Sequence, residues 1–360
     1  MRVNPWHRIA ATASAVLLVA VLAGAYRALD SHGVFTTVVP GFGGTCRAVR
    51  GAGGPEDIAF DRKDKIAFMS VTDYRALGRG KPSPRDGLYF YAYTQPGAKP
   101  VKLSGTPEDF HPHGISLYRA PSGTLTLMAV NHRMDKTNTV DIFSVEIENG
   151  AISLTEVGSI GGRILVSPND VAAVDEDRFY VVNDRTSKTA LGRWLEDNLV
   201  LPRANVVYFD GVKFVAAAEG LNSPLGVALS TDGRYLYVPE ALPRTLLTFE
   251  RNPFTGQLKQ VNALFIPSGL DNADVAAEGS IWVAGHAKFD AMIRYIGDPS
   301  KPSPSEIFRV SAKDGIPQAA TLVYANMGKE IGAASVGAVA DGHLLIGSPF
   351  DDKILDCKLP

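Results

Sequence analysis

Between residues 39 and 360, apolar and polar positions fall into one repeating phrase: a short apolar run, a polar turn and a second apolar run. The first runs read Glu56-Asp57-Ile58-Ala59-Phe60, His113-Gly114-Ile115-Ser116-Leu117, Asn169-Asp170-Val171-Ala172-Ala173, Leu225-Gly226-Val227-Ala228-Leu229, Asp271-Asn272-Ala273-Asp274-Val275 and, more faintly, Val336-Gly337-Ala338-Val339-Ala340. Second runs such as Arg178-Phe179-Tyr180-Val181-Val182 and Ile281-Trp282-Val283-Ala284 follow turns such as Asp61-Arg62-Lys63-Asp64, Asp175-Glu176-Asp177 and Thr231-Asp232-Gly233. Short apolar runs joined by such turns read as hairpins. Successive copies begin roughly 50 to 60 residues apart, in the range of propeller blades. The pattern predicts an all-β fold, a six-bladed β-propeller closed by strands from both ends of the chain. Around one axis equivalent positions converge, so the acidic, amide and imidazole side chains at the strand entrances would line one pocket.

Helical periodicity is scarce. It is clearest over Thr189 to Leu201, where Leu191, Trp194, Leu195 and Leu199 recur at helical spacing. This predicts a helix inserted between blades near the pocket mouth, or a cover over a strand edge. Thr72 to Pro84, with Gly78, Arg79, Gly80 and Lys81, reads as a mobile loop. A loop there would flank the pocket, making Tyr74 either a substrate contact or a solvated aromatic.

The amino terminus differs in kind. Arg2, His7 and Arg8 precede an apolar stretch from about Ile9 to Ala25, intermediate between a signal-peptide core and a full membrane span. Ala23-Gly24-Ala25 offers a cleavage site, so a removed signal peptide and a retained anchor both remain open. Either sends the remainder across a membrane, giving an exported protein that is membrane-anchored or periplasmic/extracellular. The expected organisation is a leader over 1–30, a linker over 31–38 and a catalytic propeller over 39–360. The two cysteines, Cys46 and Cys357, then read as one disulfide joining the ends of the ring, against the alternative of two unrelated buried thiols. With 36 basic against 38 acidic residues and a net charge of −2, the chain has no basic footprint for nucleic acid.

Hard cations take six to eight oxygens from carboxylates, amides, backbone carbonyls and water. Glu56, Asn169, Asp271 and Asn272 offer oxygens of this kind. Asp57 and Asp170 sit one residue deeper and, in a strand, face the other way, where they could form a second, more buried ion site. Against this stands the ordinary role of Asp and Asn as turn caps. His113 and His132 fall at adjacent ends of one hairpin and could serve as a general-base pair. His286 could line the substrate, while His32, His111 and His343 are expected at the surface. The chain has no Gly-x-Ser-x-Gly elbow, Walker loop or Rossmann glycine pattern after a strand, and no HExxH or paired-cysteine spacing for zinc.

With these residues assembled, the chain resembles the serum paraoxonases, calcium-dependent lactonases and arylesterases of the six-bladed propeller class. The matching segments are Pro55-Glu56-Asp57, Phe110-His111-Pro112-His113-Gly114-Ile115-Ser116, Val130-Asn131-His132, Pro168-Asn169-Asp170-Val171, Phe179-Tyr180-Val181-Val182-Asn183-Asp184, Leu270-Asp271-Asn272, and Leu344-Leu345-Ile346-Gly347 followed by Cys357. They run in family order from Cys46 to the carboxyl end. The resemblance implies two calcium ions: a catalytic one on Glu56, Asn169, Asp271 and Asn272, and a structural one on Asp57, Asp170 and the backbone carbonyl of Ile115. It further implies His113 as base on the attacking water with His132 assisting, a ring-closing Cys46–Cys357 disulfide, and a retained membrane anchor. One departure stands out: Leu225 precedes Gly226 where the family has a calcium-binding asparagine, so either Asn222 reaches in or water fills the place, and Leu225 becomes substrate-lining.

The expected function is calcium-dependent hydrolysis of small lactones and aryl esters. The alternatives are a gluconolactonase-type sugar-lactone hydrolase and a non-catalytic, calcium-stabilised propeller scaffold.

Overall fold

The computed structural model describes residues 5–148 and 150–360. Arg2 lies outside the described residues, as do the side chains of His7 and Arg8. Six antiparallel sheets stand around one axis. The first blade comprises Pro55–Asp61, Ile66–Val71, Gly87–Tyr91 and Val101–Lys102, and the second Pro112–Arg119, Leu125–His132, Asn138–Glu148 and Ala151–Gly161. The third comprises Pro168–Ala173, Phe179–Asn183, Ala204–Phe209 and Phe214–Leu221, and the fourth Ala228–Leu229, Tyr235–Glu240, Thr245–Arg251 and Leu258–Phe265. The fifth is built from Gly269–Val275, Ile281–His286, Ser305–Lys313 and Ile316–Asn326, with Gly41–Phe42 added at its outer edge. The first strands of successive blades touch one another and form the inner ring.

The middle strands lie between neighbouring blades, so both of their faces are covered and they read as unbroken apolar runs. Ile66–Val71 and Phe179–Asn183 are buried at every position. Phe68, Leu88, Leu127 and Phe143 fill the layer between the first two blades.

The sixth blade closes the ring: Val336–Ala340, His343–Gly347 and Lys353–Lys358 are completed by Thr45–Arg50 from the other end of the chain. Cys46 and Cys357 stand opposite each other in that pairing and are joined by a disulfide. Asp356 accepts from Arg47 (2.7 Å) and from the Tyr91 hydroxyl (2.8 Å). His343, expected at the surface, is buried with its Nδ1 2.7 Å from the same carboxylate.

Helix α1 (Pro5–Ser31) exposes its apolar side chains from Thr12 onward, and Thr12–Ser31 is long and apolar enough to cross a membrane. Its carboxyl end is tied to the propeller by an ion pair between Asp30 and Arg244. His32 is half-buried there, its ring 5.9 Å from that of Phe289.

Three further helices interrupt odd-numbered blades between their second and third strands: α2 (Tyr74–Leu77), α3 (Ala190–Leu199) and α4 (Phe289–Gly297). The segment expected to be a mobile loop thus contains α2, capped by Asp73, whose carboxylate accepts from the Ala76 N–H at 2.9 Å. Helix α3 follows its expected span but lies inside the third blade rather than between blades, because Asn183 and Asn205 on its two flanks pair with each other. Helix α4 had no sequence expectation.

Candidate active site

The three interrupted blades present the starts of their first strands at one end of the axis, since Pro55 pairs with Val71, Pro168 with Asn183 and Gly269 with His286. Each first strand is bulged there. The register shifts between Pro55 and Asp57, between Pro168 and Asp170, between Leu270 and Ala273 and, in the second blade, between Pro112 and Ile115. Glu56, Asn169, Asp271 with Asn272, and His113 with Gly114 are the unpaired residues of those four bulges. A bulge re-aims its extra side chain out of the ladder, and here four of them do so at one end of one ring.

Glu56 is buried and accepts from Asn272 Nδ2 at 2.8 Å. His113 Nε2 stands 3.7 Å from Glu56 Oε1. Glu56 Oε2, Asn169 Oδ1 and Asn272 Oδ1 are buried without a hydrogen-bond partner among the described residues. Three orphaned oxygens at one end of the ring are costly unless something electropositive meets them. Burial, followed by repulsion from Asp57, Asp271 and Asp170, holds the Glu56 carboxyl well above the usual carboxylate range. Burial raises Asp271 as well, opposed by His286 Nε2 at 2.7 Å. Among the described residues no group of three or more His, Cys, Asp and Glu side chains is placed to hold a metal; the oxygens here are divided between carboxylates and amides. That donor set suits a hard cation and leaves room for water in its shell.

Asp57 and Asp170 do face the other way, and each reaches across to the neighbouring blade. Asp57 accepts from the Ile115 N–H (2.8 Å) and Asp170 from the Val227 N–H (2.7 Å). Asp274 repeats the device, accepting from the Val339 N–H at 3.1 Å. The dipeptides Asp57-Ile58, Asp170-Val171 and Asp274-Val275 were the signal for this third member. The three acids line a cavity of about 190 Å³ together with Ile115, Ser116 and Arg62. Arg62 lies in a hairpin turn, yet its guanidinium reaches Asp274 and the carbonyls of Val275 and Val339. Burial pushes Asp57 up to about 7 against its two backbone bonds, and burial, followed by the Asp57 charge, also holds Asp170 well above the usual carboxylate range. Gly114 is required beside them, because a Cβ at that position would lie 2.1 Å from Asp170 Oδ1.

The structure brings His113 and His132 together, Nδ1 to Nε2 at 2.9 Å. His132 Nδ1 is 2.9 Å from Asn138 Oδ1, and Asn138 Nδ2 donates to the Leu165 carbonyl at 3.1 Å. The tautomers follow from the partners. Asn138 offers an acceptor, so His132 carries its proton on Nδ1; its Nε2 then accepts from His113 Nδ1–H, leaving a lone pair on His113 Nε2 on the Glu56 side. Burial, and then the neighbouring His132, hold His113 well below the usual imidazole range. Burial also lowers His132, opposed by Asn138 and the Asp184 charge. The ring of Tyr74 lies 5.1 Å from that of His113, and its hydroxyl donates to the Pro112 carbonyl at 3.2 Å.

A family model described as Arylesterase matches residues 66–359. The chain belongs to the arylesterase family. It is 32% identical over 321 residues to serum paraoxonase/arylesterase 2 of Homo sapiens, covering 87% of this chain and 88% of that protein. The Bos taurus counterpart is 34% identical over the same share of each chain. Among solved structures, a luciferin-regenerating enzyme superposes with a TM-score of 0.54 at 13% identity, covering 88% of this chain and 95% of its own. A putative gluconolactonase gives 0.50 at 14% identity, covering 89% and 93%. These structures share the fold. Arylesterase membership makes the chain an ester or lactone hydrolase by family, and its site departs from the sequence expectations in several places.

His286, expected to line the substrate, is 2% exposed, pairs with Gly269 at the strand end and stands with its Nε2 2.7 Å from Asp271 Oδ2, within the candidate site. His111, expected at the surface, is buried with its Nδ1 2.9 Å from Asp86 Oδ2. Leu225 packs with Val200, Leu242 and Phe289 in an apolar wall. Asn222 does not reach the axis: turned to donate, its amide bonds the Val200 and Leu201 carbonyls at 3.0 and 2.9 Å. Asn138 and Arg62 carried no sequence expectation as site residues, since each matters through a contact made by folding.

Proposed function

We propose that the chain is a calcium-dependent hydrolase of small lactones and aryl esters, with His113 as general base. The observation that carries this reading is the conjunction of a hydrogen-bonded histidine pair with three orphaned buried oxygens at the same end of the axis. Glu56, Asn169, Asp271 and Asn272 would hold the catalytic calcium, and Asp57, Asp170 and the Ile115 carbonyl a second, structural calcium. The catalytic ion supplies, when bound, an electrophile that polarises the ester carbonyl and stabilises negative charge on its oxygen.

The protein's own residues do the rest. His113 is uncharged at neutral pH because its pocket disfavours the cation, so its Nε2 can take a proton from water. The imidazolium that forms already donates through Nδ1 to His132, whose own proton is held by Asn138. Charge therefore spreads along a prearranged line of three groups without side-chain movement. The Tyr74 ring packs beside that of His113, tilted to it at 5.1 Å. Leu225 presents an apolar surface to the substrate and places no oxygen in the ion's shell. In the same reading α1 retains the protein at a membrane, with the propeller on the exported side, in keeping with the ring-closing disulfide.

The test is hydrolysis of a panel of lactones and phenyl esters by the full chain, first with calcium and then with a chelator. Activity should vanish on chelation and return with calcium; activity indifferent to chelation would remove the cation. His113→Gln should lower kcat/KM by roughly 10²- to 10⁴-fold while leaving calcium-dependent thermal stabilisation intact. Undiminished turnover in that variant would remove His113 from the mechanism.

A further inference from the structure

Two adjoining cavities open beside the histidine pair. The inner one, about 440 Å³, is lined by His132 together with Arg133, Lys136, Asn138 and Arg193. It shares Lys136, Asn138, Val166 and Arg193 with an outer cavity of about 560 Å³, whose wall also includes Arg163 and Lys188. The two form one groove leading away from His132.

The charge of this groove is one-sided. The chain as a whole carries a net charge of −2, yet every charged side chain lining the outer cavity is cationic: Lys136, Arg163, Lys188 and Arg193. The nearby acids are engaged elsewhere. Asp184 and Asp197 pair with Arg185, Glu196 accepts from Ser187, and Asp135 accepts from Thr137. Among the described residues none of the four cations forms an ion pair. Arg193 spends its Nε on the Ser187 carbonyl and keeps its terminal nitrogens free of any such pair. Like charges held together around a concave wall focus their field into the groove and raise the local concentration of anions. Guanidinium groups also present the paired donors that carboxylates and phosphates accept.

We infer that this groove is a subsite for an anionic tail, so that the substrate is an ester or lactone whose acyl or leaving group ends in a carboxylate or a phosphate. The inference rests on His113 and His132 being the reacting centre, and goes beyond that by naming what lies at the far end of the molecule. Substrate would lie with its carbonyl at the histidines and its tail extending past Asn138 towards Arg163 and Lys188. No covalent step changes; the subsite acts on binding and orientation.

The test uses the full chain and three aryl esters of equal acyl length, ending in a carboxylate, a phosphate monoester or a neutral amide. The wild type should favour one of the two anionic esters over the neutral one, and raising the salt concentration should erode the preference. Which anion is preferred separates the carboxylate source from the phosphate source. Arg163 and Lys188 are exposed, so Arg163→Glu with Lys188→Glu tests charge without disturbing the core. Each exposed ion pair alters affinity by roughly two- to fivefold, and two reversals exchange attraction for repulsion, so the preference should fall roughly tenfold or more. Hydrolysis of the neutral ester should stay within about twofold. Equal turnover of all three esters by wild type, unaffected by the double substitution, overturns the subsite and leaves the hydrolase reading standing. If no ester is hydrolysed, the hydrolase reading fails, and equilibrium binding of the matching anilides decides the subsite. Tighter binding of an anionic anilide, lost in the variant, supports it, and indifference to the tail overturns it.

Discussion

Without a divalent cation, burial at the axis of the ring favours the protonated form of its carboxyls, and this gives the protein an unusual pH dependence of stability. Asp57 shows the effect most directly: burial pushes it up to about 7, against the ordinary value of 3.8. Between those values the folded chain holds a proton that the unfolded chain has released. A state that binds more protons is favoured at low pH, so the contribution of Asp57 is fully present below the unfolded value and is lost as pH rises through about 7. Three pH units correspond to about 4 kcal/mol, of which about 3 kcal/mol is expressed between pH 5 and pH 8. For a chain of this length that is about 3–4 °C in Tm. Glu56, Asp170 and Asp271 act in the same direction. The two histidines oppose them: both are lowered by burial, so they favour the folded state as pH rises towards the ordinary imidazole value. The comparison that isolates the carboxylate is therefore wild type against Asp57→Asn, both in chelator, by thermal unfolding followed by circular dichroism at pH 5 and pH 8. Wild type should lose about 3–4 °C more than the variant over that interval, and calcium should abolish the wild-type loss by compensating the ionised carboxylates. An equal slope in the two proteins, or a chelated wild type that gains more stability than the variant as pH rises, would refute the argument.

Two other outcomes follow from the contacts described. Asn138→Ala removes the acceptor that orients His132, and kcat/KM should fall by roughly ten- to a hundredfold with a shifted pH profile and little change in Tm. Asn138→Asp, which keeps the oxygen, should recover much of the rate, and equal loss in both variants would mean that Asn138 is structural. Cys46→Ser with Cys357→Ser opens a loop of sequence separation 311. In the chain-entropy model this costs about 6 kcal/mol, to be read from the urea midpoint at constant slope; an unmoved midpoint would show that the paired terminal strands suffice.

Much of this molecule was legible along the chain because its repeat is local. Six entrance phrases spaced by blade length specify hairpins, and hairpins with apolar middle strands can cover both faces only by standing beside further copies of themselves. Helix α3 was visible for the same reason, since Leu191, Trp194, Leu195 and Leu199 mark one side of a helix within a single turn-by-turn pattern. The residues Glu56, Asn169, His113, Asp271 and Asn272 were legible as a set because they recur at strand entrances. What folding decided was how they point. Strand alternation alone accounts for Asp57 opposing Glu56, but bulges carry Glu56, Asn169, Asp271 and Asn272 out of their ladders, and a bulge is a property of a pair of strands. The same holds wherever a contact joins distant segments: Arg62 leaves its turn for Asp274, His111 finds Asp86, His343 finds Asp356, and His286 turns inward to Asp271. A polar residue read along the chain carries the cost of its burial but not the identity of the partner that offsets it; only the closed ring supplies that partner.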